Sequence, residues 1–149
     1  MSTDRQGQHE PLVTDRNGLF VLSRKTCLQL LRETSLGRVG ITVDALPVIL
    51  PVNYRLLGER IVFRTSPGTK LDAATRNAIV AFEVDEIEPV SHSGWSVVVV
   101  GTAREVTDPA DVEELAHANI PRWASSGSER VVEVSTELVT GRRIGSIRA

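Results

Sequence analysis

The sequence predicts a mainly β, antiparallel single domain with short helices at its margins, and three observations carry that reading. Valine and isoleucine together supply 28 of the 149 residues, and β-branched side chains favour strands. Most apolar segments alternate with a period of two, which sends successive side chains to opposite faces of a sheet. Between them stand short turn segments such as Asp44-Ala45-Leu46 and Leu57-Gly58-Glu59, which join neighbouring strands as hairpins.

Taken in order, residues 1–11 carry Ser, Thr, Asp, Gln, Gly and His with almost nothing to bury, and read as a disordered arm. Ser23 is a suitable N-cap for a helix to about Glu33, with Cys27, Leu28, Leu30 and Leu31 on its apolar stripe. From Leu36 the period becomes two, Val39, Ile41 and Val43 alternating with Arg38, Gly40 and Thr42. Strands follow over Pro47 to Leu56 and Arg60 to Arg64, then a loop Thr65–Thr69 and a short helix from Lys70 to about Arg76. A strand from Ile79 to Ile87, a polar loop Ser91–Gly94 and a strong strand from Trp95 to about Val106 come next. Asp108 caps a helix with Pro109 at its first position, covering about Ala110 to Ala118. Ser125 to Ser128 reads as a loop and Arg130 to Leu138 as the last strand. No internal repeat or linker divides residues 12–149.

Composition excludes several classes. With 41% hydrophobic residues the chain is too apolar for intrinsic disorder. Its formal net charge of −2 and six aromatics argue against nucleic-acid binding. No apolar run approaches the ~18–20 residues of a membrane span, and Met1–Glu10 lacks the apolar region of a secretory signal. A cytoplasmic domain is the expectation. The single Cys27 rules out a disulfide framework and an all-cysteine zinc site, and no metal site is expected. Dinucleotide, Walker, zinc-protease and nucleophile-elbow motifs are absent, so no catalytic residue is assigned.

The run Val97-Val98-Val99-Val100 requires cover on both faces of its strand. A second subunit is the favoured cover, since two-fold homodimers are the commonest oligomers; packing of the Ser23 helix there is the alternative.

Two segments carry chemistry. In Ile61-Val62-Phe63-Arg64-Thr65-Ser66-Pro67-Gly68-Thr69-Lys70-Leu71 a strand ends in a cation, hydroxyls and a Pro-Gly turn follow, and Thr69 can cap a helix opened by Lys70. Arg64, Lys70, Thr65, Ser66 and Thr69 suit a phosphate dianion; an ordinary turn and capped helix is the bland reading. Lysine occurs only twice, at Lys25 and Lys70, and Lys25 falls on an outward helix face. In Pro47-Val48-Ile49-Leu50-Pro51-Val52-Asn53-Tyr54 the prolines place the strand at an edge or opening. Its unpaired backbone groups suit a flat heterocycle with donors and acceptors, or simply a strand protected by proline against aggregation.

These stretches, together with Ser93-Gly94-Trp95-Ser96-Val97-Val98-Val99-Val100-Gly101-Thr102-Ala103-Arg104-Glu105-Val106, resemble the pyridoxamine 5′-phosphate oxidase-like FMN-binding split-barrel superfamily, in particular the small branch near the nitroimidazole-resistance proteins. The similarity runs from about Leu22 to Val106 and takes in the tail Leu138–Arg143. It implies a six-stranded antiparallel Greek-key split barrel with flanking short helices, homodimeric, with two FMN sites at the subunit interface. Arg64, Thr65, Ser66, Thr69 and Lys70 would then hold the FMN phosphate. The backbone of Pro51, Val52, Asn53 and Tyr54 would border the isoalloxazine ring. Trp95 would approach it from the partner chain, or serve only as an interface tryptophan. In the nitroimidazole branch the position of Arg64 is commonly a histidine associated with drug reduction, so this chain departs from it. Nor is there an extended C-terminal segment of the kind that true pyridoxamine-phosphate oxidases use to grip substrate.

The resulting expectation is an FMN-dependent oxidoreductase acting on a small molecule, with NADPH or NADH among the candidate reductants. Two alternatives stand beside it. One is an F420-dependent reductase, with Arg64, Arg76, Arg142 and Arg143 for the deazaflavin's anionic tail. The other is a flavin or haem carrier or sensor without turnover.

Overall fold

The computed structural model describes residues 13–120 and 129–145. The expected N-terminal arm and the Ser125–Ser128 loop lie outside them. A two-residue strand β1 (Val13–Thr14) and β2 (Phe20–Leu22) lead into α1 (Arg24–Glu33), where the Ser23 hydroxyl accepts the Thr26 N–H at 3.1 Å. Then come β3 (Leu36–Val43), β4 (Leu46–Asn53), β5 (Arg55–Leu57), β6 (Arg60–Thr65), α2 (Lys70–Ala74), β7 (Ala78–Glu88) and β8 (Ser93–Glu105). The chain continues through α3 (Pro109–Ala116), capped by Asp108, to β9 (Arg130–Ser135) and β10 (Leu138–Ile144). Asp44 and Ala45 adopt φ of 49° and 65°, the left-handed pair that a tight hairpin between β3 and β4 requires.

All ten strands belong to one antiparallel sheet that curls on itself. Ladders run β4–β3–β7–β8–β9–β6–β5, and the barrel closes because β5 continues β4 through Tyr54. With β4–β5 and β9–β10 each counted as one bent strand, this is the expected six-stranded antiparallel barrel. It is split because β9 and β10 share one edge of β8 and then part. β9 joins β6, whereas β10 joins β2. The parting point is Gly101, where a built Cβ would lie 1.8 Å from the Ser135 carbonyl oxygen.

The interior is filled by Leu31, Val39, Tyr54, Ile61, Phe63, Phe82, Val84, Val97, Val99 and Val134, with the Tyr54 and Phe82 rings edge to face at 4.8 Å. Cys27, Leu28 and Leu31 bring α1 into the same core. A second, smaller cluster of Val62, Val106, Leu115 and Ile120 packs α3 against the opposite side of β6. The Ser23 helix therefore sits on the Val97 and Val99 side of β8, and Val98 and Val100 face away from it.

On that outward side, register aligns Ile49, Gly40, Ala81, Val100 and Leu138 across five strands. Ile49 is 72% and Leu138 65% exposed. The adjacent row reads Pro51, Arg38, Glu83, Val98 and Thr140. Here Arg38 reaches Glu83 at 3.3 Å and Asp85 at 3.5 Å. Burial, and next the Asp85 carboxylate, hold Glu83 up to about 7, against the downward pull of Arg38.

Two outcomes follow from this packing. Gly101→Ala should cost about 3 kcal/mol in urea unfolding, because the methyl group cannot coexist with the Ser135 carbonyl. Glu83 loses its proton near 4.5 in the unfolded chain and near 7 in the folded one, so the folded state holds the proton between those values. Stability should accordingly fall as pH rises from about 4.5 to about 7 and level off above. Melting temperatures across that range should lose the slope in Glu83→Gln.

Candidate functional site

Strand register opens the site. The β5–β6 ladder ends at the Arg55–Val62 pair. Extended, it would set Asn53 opposite Arg64 and Pro51 opposite Ser66, but β4 pairs only with β3. The strands diverge there into a wedge, with β4 as one wall and the segment from the end of β6 into α2 as the other.

The β4 wall is an edge, as Pro47 and Pro51 predict. The Tyr54 N–H donates to the Ser35 carbonyl at 2.9 Å, which fixes the alternation of the ladder. Val48, Leu50 and Val52 therefore direct their backbone groups toward β3. The other edge presents the N–H groups of Ile49 and Asn53 and the carbonyls of Pro47, Ile49, Pro51 and Asn53. Val52 and Tyr54 bury their side chains in the core. The Tyr54 hydroxyl donates to the Leu31 carbonyl at 2.7 Å and lies 2.8 Å from Thr34 Oγ1, anchoring the strand to the end of α1. Burial pushes the Tyr54 phenol above its ordinary value.

The opposite wall is organised by Asp72, only 4% exposed. Its Oδ1 accepts the Thr65 hydroxyl at 3.1 Å. Its Oδ2 accepts the Gly68 N–H at 3.3 Å, Arg76 at 3.2 Å and Arg130 at 3.3 Å. Thr69 caps α2 by accepting the Asp72 N–H at 3.1 Å, and its own hydroxyl donates to the Ser66 carbonyl at 2.8 Å. Gly68 has φ of +79° with open space where a Cβ would stand, so the turn is possible without strain. Thr65 and Thr69 are thus engaged in building the loop. The Lys70 ammonium, the Ser66 hydroxyl and the Lys70 and Leu71 N–H groups remain available among the described residues. Lys70 also lines a cleft of about 380 Å3 with Thr42, Val43, Asp44, Gly68 and Thr69, at the hairpin from which β4 departs.

Arg64 is placed differently from its neighbours. Its side chain lies on the α3 side of β6, where Nε donates to the Ile120 carbonyl at 3.3 Å and stands 4.0 Å from Glu129. Trp95 lies three strands across from β4, about 14 Å by strand spacing, so within one chain it does not meet that edge. The four arginines considered for a deazaflavin tail are dispersed. Arg76 is held by Asp72, Arg142 by Asp15 at 2.9 Å, and Arg64 as above, while Arg143 lies beside Trp95.

Asp72 and Arg130 are the residues that sequence reasoning missed. Asp72 stands three residues after the Thr69 cap, the place of the acidic member of a capping box, which was the available signal. Nothing local announces Arg130, which arrives by the pairing of Thr65 with Arg130 across β6 and β9.

Residues 23–143 match the family model described as Pyridoxamine 5′-phosphate oxidase. An uncharacterised protein of Mycobacterium tuberculosis is 38% identical over 128 residues, covering 83% of this chain and 84% of its own. Among solved structures, the FAD binding protein from Mycobacterium smegmatis superposes with a TM-score of 0.78 at 38% identity, covering 85% of this chain and 99% of that one. The FAD and heme binding protein of the same organism shares the fold at a TM-score of 0.65 and 17% identity, over 80% of this chain and 70% of that one.

Asp72→Asn should lower stability by about 2 kcal/mol in urea unfolding, because charge-assisted bonds from Arg76 and Arg130 lose their acceptor charge. Thr65→Val, which removes the hydroxyl bonded to Oδ1, should cost less, about 1 kcal/mol.

Proposed function

The chain belongs to the pyridoxamine 5′-phosphate oxidase family, and from that premise we propose that it is a flavin-dependent oxidoreductase whose cofactor lies in the wedge between β4 and the Ser66–Lys70 loop. The observation that carries this reading is a free backbone edge of alternating donors and acceptors facing a loop with an unengaged lysine. Such a wedge fits a flat ring bearing both kinds of group and a phosphate tail. The 38% identity to an FAD binding protein supports the flavin assignment.

In this arrangement Lys70, the Ser66 hydroxyl and the first N–H groups of α2 hold the phosphate, while Thr65 and Thr69 keep the loop in shape. Arg64 braces the strand behind it. The backbone of Pro51 and Asn53 borders the ring, and Val52 and Tyr54 keep that edge rigid by their anchorage in the core. When bound, the flavin supplies hydride transfer, and the protein supplies binding, orientation and exclusion of water. FMN is the proposed form. The M. smegmatis relative favours FAD as a second reading, and the dispersal of the arginines ranks F420 below both.

The assembly proposed is a cytoplasmic homodimer joined through the outward row from Ile49 to Leu138, which brings Trp95 of the second copy to the β4 edge. An apolar row of this length on a sheet face is the kind of surface that two-fold partners bury. A small molecule is the substrate, and NADPH or NADH the proposed reductant.

The purified protein should be yellow, with the released cofactor identified by mass. A colourless protein that gains no flavin absorbance after addition of FMN or FAD overturns the reading. Lys70→Ala should weaken flavin binding about tenfold, by loss of a charge-assisted bond. Arg64→Ala should lower stability with a smaller change in affinity. Saturable reduction by NADPH or NADH in stopped flow distinguishes an enzyme from a carrier, and sedimentation equilibrium reports the dimer.

A further inference from the structure

At the far end of the sheet, where β7, β8 and β10 run beyond the barrel, lies a cavity of about 480 Å3 lined by Glu86, Glu88, Ser93, Trp95 and Arg143 among others. Register places Glu86, Trp95 and Arg143 in one row across three adjacent strands, so the three side chains share a face. Trp95 is half-buried and packs against the barrel core, which fixes the indole as a rigid platform.

The charged residues around it are not equivalent. The Glu88 carboxylate is engaged by its own hairpin, accepting the Ser91 N–H at 2.5 Å, the Ser91 hydroxyl at 2.7 Å and the Val90 N–H at 3.1 Å. The side chains of Glu86 and Arg143 make no hydrogen bond or ion pair with any described residue. Their strands stand two spacings apart, about 10 Å, with the indole between them. The row is therefore an aromatic surface with an acceptor at one end and a guanidinium at the other, each available to a ligand.

We propose that this cavity binds a planar aromatic molecule carrying an anionic group on one edge and a hydrogen-bond donor on the opposite edge. Arg143 takes the anion through its planar donor fork, Glu86 accepts from the donor, and the ring lies on Trp95. A ring with only one of the two groups leaves one pole of the row unused. Identifying this ligand as the substrate rests on the flavin reading above, in which Trp95 of one copy stands beside the cofactor of the other; the binding itself does not.

The test is calorimetric titration of the full chain, as purified and after loading with FMN, using 4-aminobenzoate as probe. Saturable binding is expected, with benzoate and aniline each about tenfold weaker for want of one charge-assisted bond. Glu86→Ala should erase the preference for 4-aminobenzoate over benzoate while leaving benzoate binding in place. Arg143→Ala should abolish binding of both carboxylates and leave aniline unchanged. Both variants should melt with the parent, since both positions are exposed. Absence of saturable binding, or benzoate binding that survives Arg143→Ala, overturns the inference even if flavin binds. Selective aminobenzoate binding by a chain that takes up neither FMN nor FAD sustains it and overturns the cofactor reading instead.

Discussion

Closure of the barrel depends on one bent strand. A β-strand has two edges, and the chain from Leu46 to Leu57 must pair with β3 early and with β6 late if the sheet is to meet itself. The bend falls at Tyr54, whose side chain is buried, edge to face with Phe82 and bonded to the Leu31 carbonyl. Because β6 pairs only with the later part, the earlier part keeps an unpaired edge. Burying Tyr54 and leaving β4 open are thus two consequences of one geometry. An exposed edge is ordinarily an aggregation hazard. Here prolines at positions 47 and 51 remove two of the donors that an invading strand would need, while Ile49 and Asn53 keep theirs.

The fold was legible wherever period and caps agreed. Ser23, Thr69 and Asp108 all cap helices at their expected positions, because a hydroxyl or carboxylate before a helical stripe satisfies N–H groups that nothing else nearby can reach. What the sequence concealed was continuity. Pro47 to Leu56 read as one strand and is two, since the break at Tyr54 is imposed by distant partners and not by a turn residue. The reading of one last strand over Arg130 to Leu138 gave way to β9 and β10, divided at Thr136–Glu137. The cause lies at Gly101, thirty-odd positions away in sequence, where only a glycine lets the Ser135 carbonyl approach. β1 and β2 were missed because strands of two and three residues carry no period.

In the candidate site the short-range chemistry was visible and the side-chain direction was not. Lys70 and Thr69 stand where spacing placed them. Arg64 and Thr65 are adjacent in sequence and so must point to opposite faces of β6. The usual clue to which face is which, an apolar residue alternating with a polar one, is absent because Ile61, Val62 and Phe63 are all buried. Both faces of β6 are covered, one by the barrel core and the other by α3, and α3 arrives from more than forty residues away. Without that contact, nothing assigns Arg64 to the side of Ile120 or Arg130 to the side of Thr65.

Charge compensation separates the structural cavities from the receptive ones. The cavity that contains Arg60 and Arg104 also contains buried Glu133, which accepts from them at 2.8 and 2.6 Å; its charges are spent on one another. Arg38, beside another cavity, is spent on Glu83 and Asp85. Such pairs stiffen the sheet but offer an incoming ion little, because a ligand must first displace a partner that is already in place. Lys70 and Arg143 are different, since each lines a cavity with no carboxylate bonded to it. They also stand at opposite ends of the long β7–β8 ladder, with the apolar row from Ile49 to Leu138 between them on the outward face. A single chain cannot bring these two cations to one ligand. The homodimer proposed above, joined across that row, would carry the Arg143 end of one copy toward the Lys70 end of the other. That homodimer would both cover the apolar row and bring the two uncompensated cations toward each other.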